Sequence, residues 1–325
     1  MKVSQIAGVA AILAALAALN EGADLGPVAW VCEIAVHFPA HLALLCIGVS
    51  IWLARTGSAV LAGPVAAFAA PLTLAFFAPA PFVAPDASAE GPRLRVAAAN
   101  LYQQPRSLRG FIQLASDTPF DVIALAESPL RDCDALLGRF PEMGFCAVNA
   151  EDAGGEPVDD PLLVLSRRAP EHAEIIRPDH PGARGAHRLS YPVGDRLVEI
   201  AVVHPRAPLS PWRAQAREAE LAYVAASLPK DRPFVMMGDM NTTPWESGFQ
   251  KLPGRRAGDP RLRPTWLTSL PLLGLPIDHI LVGGGVEVAA YRVGPFNWSD
   301  HRPLFATLSI PAEAEAVKPQ ATARP

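Results

Sequence analysis

Six short polar motifs, each set at the end of an apolar run, constrain this chain more than any other feature. Asn100 closes RLRVAAAN, Glu127 follows DVIALA, His204 follows VEIAVV and Gly238-Asp239-Met240-Asn241 follows PFVMM; Asp278 precedes HILV, and Ser299-Asp300-His301 precedes RPLFATL. Short apolar runs bounded by polar residues read as buried strands. A fold built from them delivers carboxylates, amides and imidazoles at strand ends. That mixture suits a divalent cation together with a phosphate ester, because hard cations take oxygen ligands and amide and imidazole N–H groups donate to phosphate oxygens.

The rest of residues 93–310 fits the same plan. RSLRGFIQLASD has the spacing of an amphipathic helix, DALLGRF reads as a short one, and SPWRAQAREAELAYVAASL is the longest, with Ser210 at its N-cap and Pro211 at its first position. GFCAVNA, PLLVLS, HRLSYPV and RLVEIAVVH add strands, while the acidic, Gly/Pro-rich EDAGGEPVDDP reads as an exposed loop. Strands and helices mix in both halves, as in a layered α/β or α+β sandwich. Residues 311–325, rich in Ala, Glu and Pro, read as a disordered tail.

Half of the 325 residues are hydrophobic, and the excess lies before about residue 85. Three apolar stretches, from about Val3 to Leu19, Phe38 to Ala54 and Ser58 to Val83, each approach the length of a bilayer-spanning helix. Residues 1–85 therefore read as a membrane anchor of about three helices, and 86–92 as a linker. Lys2 and Arg55 flank the first two stretches, and the segment from Asn20 to His37 carries Glu21, Asp24 and Glu33 without Lys or Arg. The positive-inside rule then puts the N-terminus and Arg55 in the cytoplasm and the domain after Pro85 on the periplasmic or outer face of the cell membrane; Arg93 and Arg95 oppose this. Glu33, His37 and His41 read as residues of the membrane interface.

Charge and cysteine usage narrow the function. With 28 basic and 32 acidic residues the net charge is −4, and no basic block stands out, which argues against a dedicated duplex-DNA binder. The four cysteines, Cys32, Cys46, Cys133 and Cys146, lack CxxC spacing, which argues against a structural zinc site. Cys133 and Cys146 can pair if the domain faces an oxidising compartment.

Asn100 and Glu127 end neighbouring strands and put an amide and a carboxylate at one sheet edge. Asp239 and Asn241 share a side if the chain stays extended. Asp300 and His301 are adjacent at a strand head and so face different ways. Asp278 is placed to accept from a histidine N–H, whereas alternation turns His279 toward packing or the surface. Arg206 offers a phosphate ligand or a surface charge, and Arg184 and Arg188 read as solvated.

The ordered set Asn100, Glu127, His204, GDMN, Asp278 and SDH, together with TTPWES and PTW at 264–266, resembles the endonuclease/exonuclease/phosphatase superfamily, whose fold is that of deoxyribonuclease I, and most of all its membrane-attached bacterial branch. The resemblance covers about residues 93–310. It implies an α/β four-layer α/β/β/α sandwich and a Mg²⁺-dependent phosphoesterase (Mn²⁺ being an alternative), with endonuclease-like activity as the family default. It implies metal ligation by Asn100, Glu127 and Asp300, and catalytic roles for His204, Asp239, Asn241, Asp278 and His301, with Asp239 or His301 as base. The expected partners are the lipid bilayer and a phosphate-ester substrate (nucleic acid, phospholipid headgroup or small molecule), with no protein partner; the alternative is a catalytically silent binding module on the same fold. Val202 stands where many nucleases carry Thr or Asn, and no Tyr matches the nuclease tyrosine, which weighs against a specific base-excision nuclease.

Overall fold

The computed structural model describes residues 3–19, 29–78, 81–152, 154–259 and 263–312. Five apolar helices come first: α1 (Val3–Leu19), α2 (Ala29–Val36), α3 (Pro39–Arg55), α4 (Ala59–Ala67) and α5 (Ala69–Phe77). Then follow β1 (Phe82–Val83), β2 (Arg93–Asn100), α6 (Pro105–Ala115), β3 (Val122–Ala126), α7 (Cys133–Leu137), β4 (Phe145–Glu151), β5 (Pro157–Ser166), β6 (His172–Ile176), β7 (Ala186–Val193) and β8 (Arg196–Val203). The chain continues with α8 (Pro211–Ser227), β9 (Phe234–Asp239), α9 (Ser247–Gln250), β10 (Arg255–Ala257), β11 (Asp278–Gly283), β12 (Glu287–Val293) and β13 (Leu304–Ser309).

The strands form two sheets, ordered β1-β10-β11-β9-β8-β7-β6 and β12-β13-β2-β3-β5-β4. Alternation along each strand feeds two cores. Val96, Ala98, Val164, Ile200, Val202 and Val235 meet between the sheets. The opposite faces bury Ile123 and Leu125 with Phe111 of α6 and Leu136 of α7, and Met236 with Leu221 and Val224 of α8 and Phe249 at α9. Two central sheets with helices outside are the expected sandwich. Val202 belongs to the inter-sheet core, so its side chain points away from the strand ends, and a hydroxyl there would be buried among apolar groups.

Two readings change. Residues 157–160 form the first part of β5, so the acidic loop ends sooner and delivers Asp160 to the sheet edge. Phe82 and Val83, within the stretch read as anchor, pair in parallel with Arg256 and Ala257 and extend the first sheet. Cys133 and Cys146 are joined by a disulfide, with Cα atoms 5.6 Å apart.

Among the described residues one helical segment, Ala59–Phe77, has the length and apolarity to cross a bilayer. The first stretch is a 17-residue helix, and the second is the 17-residue α3, set at 92° to α2 before it. The bend falls at Phe38-Pro39, where proline starts α3 and disfavours helical backbone in the residue before it. Ser4 Oγ lies 3.1 Å from Ser58 Oγ, so the start of α1 sits beside the α3–α4 turn. Of the residues used to orient the anchor, Lys2, Glu21 and Asp24 lie outside the described residues, as does the tail from residue 313.

Two buried imidazoles cross-link the packing. His187 Nε2 pairs with the Leu162 carbonyl of the other sheet at 3.0 Å, and His279 Nε2 with the Thr242 carbonyl at 2.9 Å. Burial holds both rings below the usual histidine range, His187 at about 4 and His279 at about 3. The folded state keeps them neutral where the unfolded chain protonates near pH 6.5, so the unfolded state binds more protons and stability falls as pH drops from 6.5 toward 4. Together they remove about 3 kcal/mol between pH 6.5 and 5. Urea unfolding at pH 7, 6 and 5 checks this, and His279→Gln, which keeps a donor for Thr242, should flatten the dependence. A wild-type midpoint that does not move with pH contradicts it.

Candidate metal-centred active site

The ends of β2, β3, β8, β9 and β11 and the turn before β13 meet at one edge of the sandwich. Asn100 ends β2, which runs parallel to β3, so Asn100 pairs in register with Ala126 and Glu127 follows immediately. Asn100 Nδ2 donates to Glu127 Oε1 at 2.9 Å and to Asp239 Oδ2 at 3.0 Å. One amide thus joins the two sheets through two carboxylates. Glu127 and Asn241 both have positive φ, 50° and 49°. Such backbone is strained for residues with a Cβ and persists where the surroundings enforce it.

Asp239 ends β9 opposite Asp278 of antiparallel β11. Gly238 is required just before it: its φ is +136°, and a Cβ there would lie 2.1 Å from the Val203 carbonyl oxygen. Asp239 Oδ1 accepts from the Asn241 N–H at 2.9 Å, while Oδ2 lies 3.7 Å from His301 Nε2 and 3.8 Å from His204 Nε2. Burial and then the Asp278 charge push the Asp239 carboxyl up to about 7. For His301, burial disfavours the charged ring, but the carboxylates of Asp278 and Asp239 outweigh it and raise the imidazolium to about 10. His301 Nδ1 donates to Asp278 Oδ2 at 2.9 Å, which leaves Nε2 facing the cavity. Thr265 of the PTW segment fixes Asp278 in turn, its Oγ1 accepting from the Ile277 and Asp278 N–H groups at 3.1 Å each.

His204 faces Glu127, with Nε2 3.6 Å from Oε1. Burial, with the charges of Arg184 and His301, holds it well below the usual histidine range. Arg184 Nη1 lies 3.4 Å from His204 Nδ1. A guanidinium only donates, so Nδ1 accepts and the ring proton sits on Nε2, toward the carboxylates.

All of Glu127, His204, Asp239, Asn241, Asp300 and His301 line a cavity of about 470 Å³; Asn100 and Asp278 sit directly behind it through their bonds to Glu127, Asp239 and His301. Asp160 and Arg184 are two members the sequence reading missed. Asp160 brings a carboxylate within 4.8 Å of Glu127 and His204 donor atoms and pairs with Arg184. Arg184 is thus a wall of the site, which corrects its reading as solvated: Gly182 and Gly185 fold its loop across the sheet edge, and its backbone N–H donates to buried Glu220 at 2.7 Å. Arg188 holds Glu174 at 3.1 Å, away from the cavity. Arg206 lines the cavity, donates to the Gly182 carbonyl at 2.7 Å and sits 3.5 Å from Asp152. Tyr102 lines it as well, and nothing but its place after Asn100 marks it in the sequence.

A divalent cation fits this donor set. Glu127 and Asp160 present oxygen ligands beside the His204 imidazole, and Asp300 Oδ1 is buried there without a hydrogen-bond partner. An orphaned carboxylate oxygen beside a desolvated glutamate, whose carboxyl burial pushes upward, is costly unless a cation shares it.

The Endonuclease/Exonuclease/phosphatase family profile matches residues 97–301. The chain belongs to that family. Solved structures with this family's fold superpose on it. An endonuclease/exonuclease/phosphatase from Bacteroides vulgatus aligns at TM-score 0.55 and 16% identity, over 67% of this chain and 99% of its own. D. rerio TDP2 complexed with a single-strand DNA product aligns at 0.54 and 16%, over 67% and 99%. An AP endonuclease from Archaeoglobus fulgidus aligns at 0.52 and 15%, over 66% and 98%. No curated protein matches the chain significantly. The family match begins at residue 97, after the N-terminal helices.

These helices pack on the matched domain beside the site. Trp30 Nε1 donates to the Pro208 carbonyl at 2.9 Å, His37 Nδ1 pairs with Thr243 Oγ1 at 2.9 Å, and His41 Nε2 pairs with the Leu272 carbonyl at 2.8 Å. Trp245 of TTPWES donates to the Phe76 carbonyl at 3.1 Å and stacks on the Phe76 ring at 5.4 Å. Glu33 reaches Arg217 at 2.5 Å. Ile34, His37 and Phe38 form part of the cavity wall. The polar groups read as interfacial in the sequence are therefore the ones that join the helices to the domain.

Proposed function

We propose that this chain is a membrane-anchored, divalent-metal-dependent phosphoesterase whose domain faces the periplasm or exterior. The observation that carries the catalytic part is the convergence of Glu127, His204, Asp239 and His301 on one cavity, bridged by Asn100. Glu127 and Asp300, backed by Asn100 and joined by Asp160, would hold Mg²⁺, which when bound neutralises phosphate charge and favours in-line displacement. Asp239, fixed by the Asn241 N–H and the Asn100 amide, orients the attacking water and accepts its proton. His301, charged and held by Asp278, donates from Nε2 to a phosphate oxygen, and His204 offers its Nε2 proton to the phosphate or the leaving oxygen.

Three features support the anchored, outward-facing arrangement. The segment Ala59–Phe77 is long enough to span. α1, α3 and α4–α5 pack into their own apolar cluster around Ala15, Leu53 and Val65. The Cys133–Cys146 disulfide suits an oxidising compartment. We read three spans, with α2 lying against the domain.

The full chain, purified in detergent, should hydrolyse bis(p-nitrophenyl) phosphate with Mg²⁺ or Mn²⁺ and lose activity to EDTA. Glu127→Gln should lower turnover about 100-fold or more and raise the Mg²⁺ concentration needed for half-activity. Activity that survives chelation, or a variant with wild-type metal dependence, refutes the assignment.

A further inference from the structure

The cavity wall mixes two chemistries: Glu127, Asp239 and His301 line it, and so do the apolar Ile34, Phe38, Leu275 and Ile277. A phosphate with a small polar substituent has no use for the apolar residues. Ile34 belongs to α2 and Phe38 stands at the elbow where α2 meets α3, so part of the apolar wall comes from the N-terminal helices.

The surface around the cavity mouth continues the pattern. Leu272 is 91% exposed and Leu209 is 70% exposed, and Leu270 and Leu273 are exposed beside Leu272. Isolated exposed leucines are ordinary, but clustered ones mark an interaction surface. These lie on two loops, and each loop is bonded to an anchor helix: the first through Trp30 to Pro208, the second through His41 to Leu272. His41 lies in the first turn of α3, and Leu44, Leu45, Ile47 and Ile51, exposed along that helix, are where lipid tails would lie. With α3 read as a span, the Leu272 loop lies beside its first turn, and the Leu209 loop lies beside α2. Of the three arginines that line the cavity, Arg184 pairs with Asp160 and Arg206 with Asp152.

We propose that the cleft opens onto the bilayer surface and takes a phosphate ester borne on a long apolar chain, its phosphate between Glu127 and His301 and its chain running past Phe38 into the membrane. This rests on the anchored phosphoesterase reading above. Water adds to phosphorus, the bond from phosphorus to the leaving alcohol oxygen breaks, and the alcohol oxygen takes up a proton equivalent to the one the water gives up; no oxidant or second substrate is needed. The leucine loops seat the domain on the lipid, and the elbow holds the chain.

The test uses the full chain in phosphatidylcholine vesicles with Mg²⁺. Phosphatidic acid, phosphatidylglycerol and a polyprenyl phosphate are each compared with a chainless counterpart (glycerol 3-phosphate, glycerophosphoglycerol and a short prenyl phosphate). Bis(p-nitrophenyl) phosphate and a single-stranded oligonucleotide are assayed in parallel. At least one lipid should turn over 100-fold faster than its chainless counterpart. Leu272→Asp combined with Leu273→Asp should lower the ratio of lipid to soluble-diester turnover at least tenfold. Hydrolysis of the soluble diester or the oligonucleotide with no gain from the chain overturns the lipid proposal and leaves the phosphoesterase reading standing. Absence of metal-dependent hydrolysis of every substrate overturns both.

Discussion

Asp239→Asn should lower kcat about 1000-fold with little change in KM, equivalent to about 4 kcal/mol of lost transition-state stabilisation. The reason lies in how the carboxylate is surrounded. Oδ1 accepts from the Asn241 N–H, and Oδ2 accepts from Asn100 Nδ2 with His301 Nε2 3.7 Å away. Every neighbour on this list donates, so an amide NH₂ faces a donor in either orientation, and the group that accepts the water proton is gone. Substrate binding through the metal ligands and His301 is left in place, which is why the effect falls on kcat. Steady-state kinetics on bis(p-nitrophenyl) phosphate would show it, with the thermal midpoint confirming that the variant is folded. A kcat within tenfold of the parent would remove Asp239 from the role of base.

The residues of the site were legible in the sequence because each borders an apolar strand, Asn100, Glu127 and Asp239 at its end and Asp278 at its start. Alternation fixes which side chains face the core, and the residue after the last buried one emerges at the sheet edge, so Asn100, Glu127, Asp239 and Asp278 could be placed before any coordinates. Asp160 obeys the same rule in reverse. It begins the buried run of β5, but Gly154, Gly155 and Pro157 around it carry a turn signal that masks the strand. Extending PLLVLS backwards through Val158, which is buried, would have recovered it. Arg184 had no such marker: it lies on a loop, and only the folded chain brings it to His204. The anchor was legible as apolar composition but not as geometry. Hydropathy counts residues without regard to direction, and the 92° bend between α2 and α3 comes from one proline. Nor can composition show that Glu33 meets a partner 184 positions later.

That partner yields the second large effect, because Arg217 is 1% exposed and holds three acceptors, two on the loop that follows Asp239 and one on α2. Its guanidinium donates to the Asn241 carbonyl at 2.6 Å, to Glu33 of α2 at 2.5 Å and to Glu246 at 2.7 Å. Glu246 in turn accepts from Thr242, so the loop that follows Asp239 is clamped from below by the same cation that fastens the anchor. Arg217→Met keeps much of the volume and removes the charge. Two carboxylates then lose their common partner in a desolvated site, which costs about 3–5 kcal/mol, and the Asn241 carbonyl loses its donor. We expect a thermal midpoint lower by roughly 10 °C or more together with a fall in kcat, since Asn241 no longer holds Asp239 in place. Combining Arg217→Met with Glu33→Gln and Glu246→Gln separates the two consequences. Neutralising the two carboxylates should restore most of the stability, whereas kcat should stay low because the bond to Asn241 is still missing. Recovery of both would make Arg217 purely structural, and recovery of neither would mean that the clamp does not work through charge.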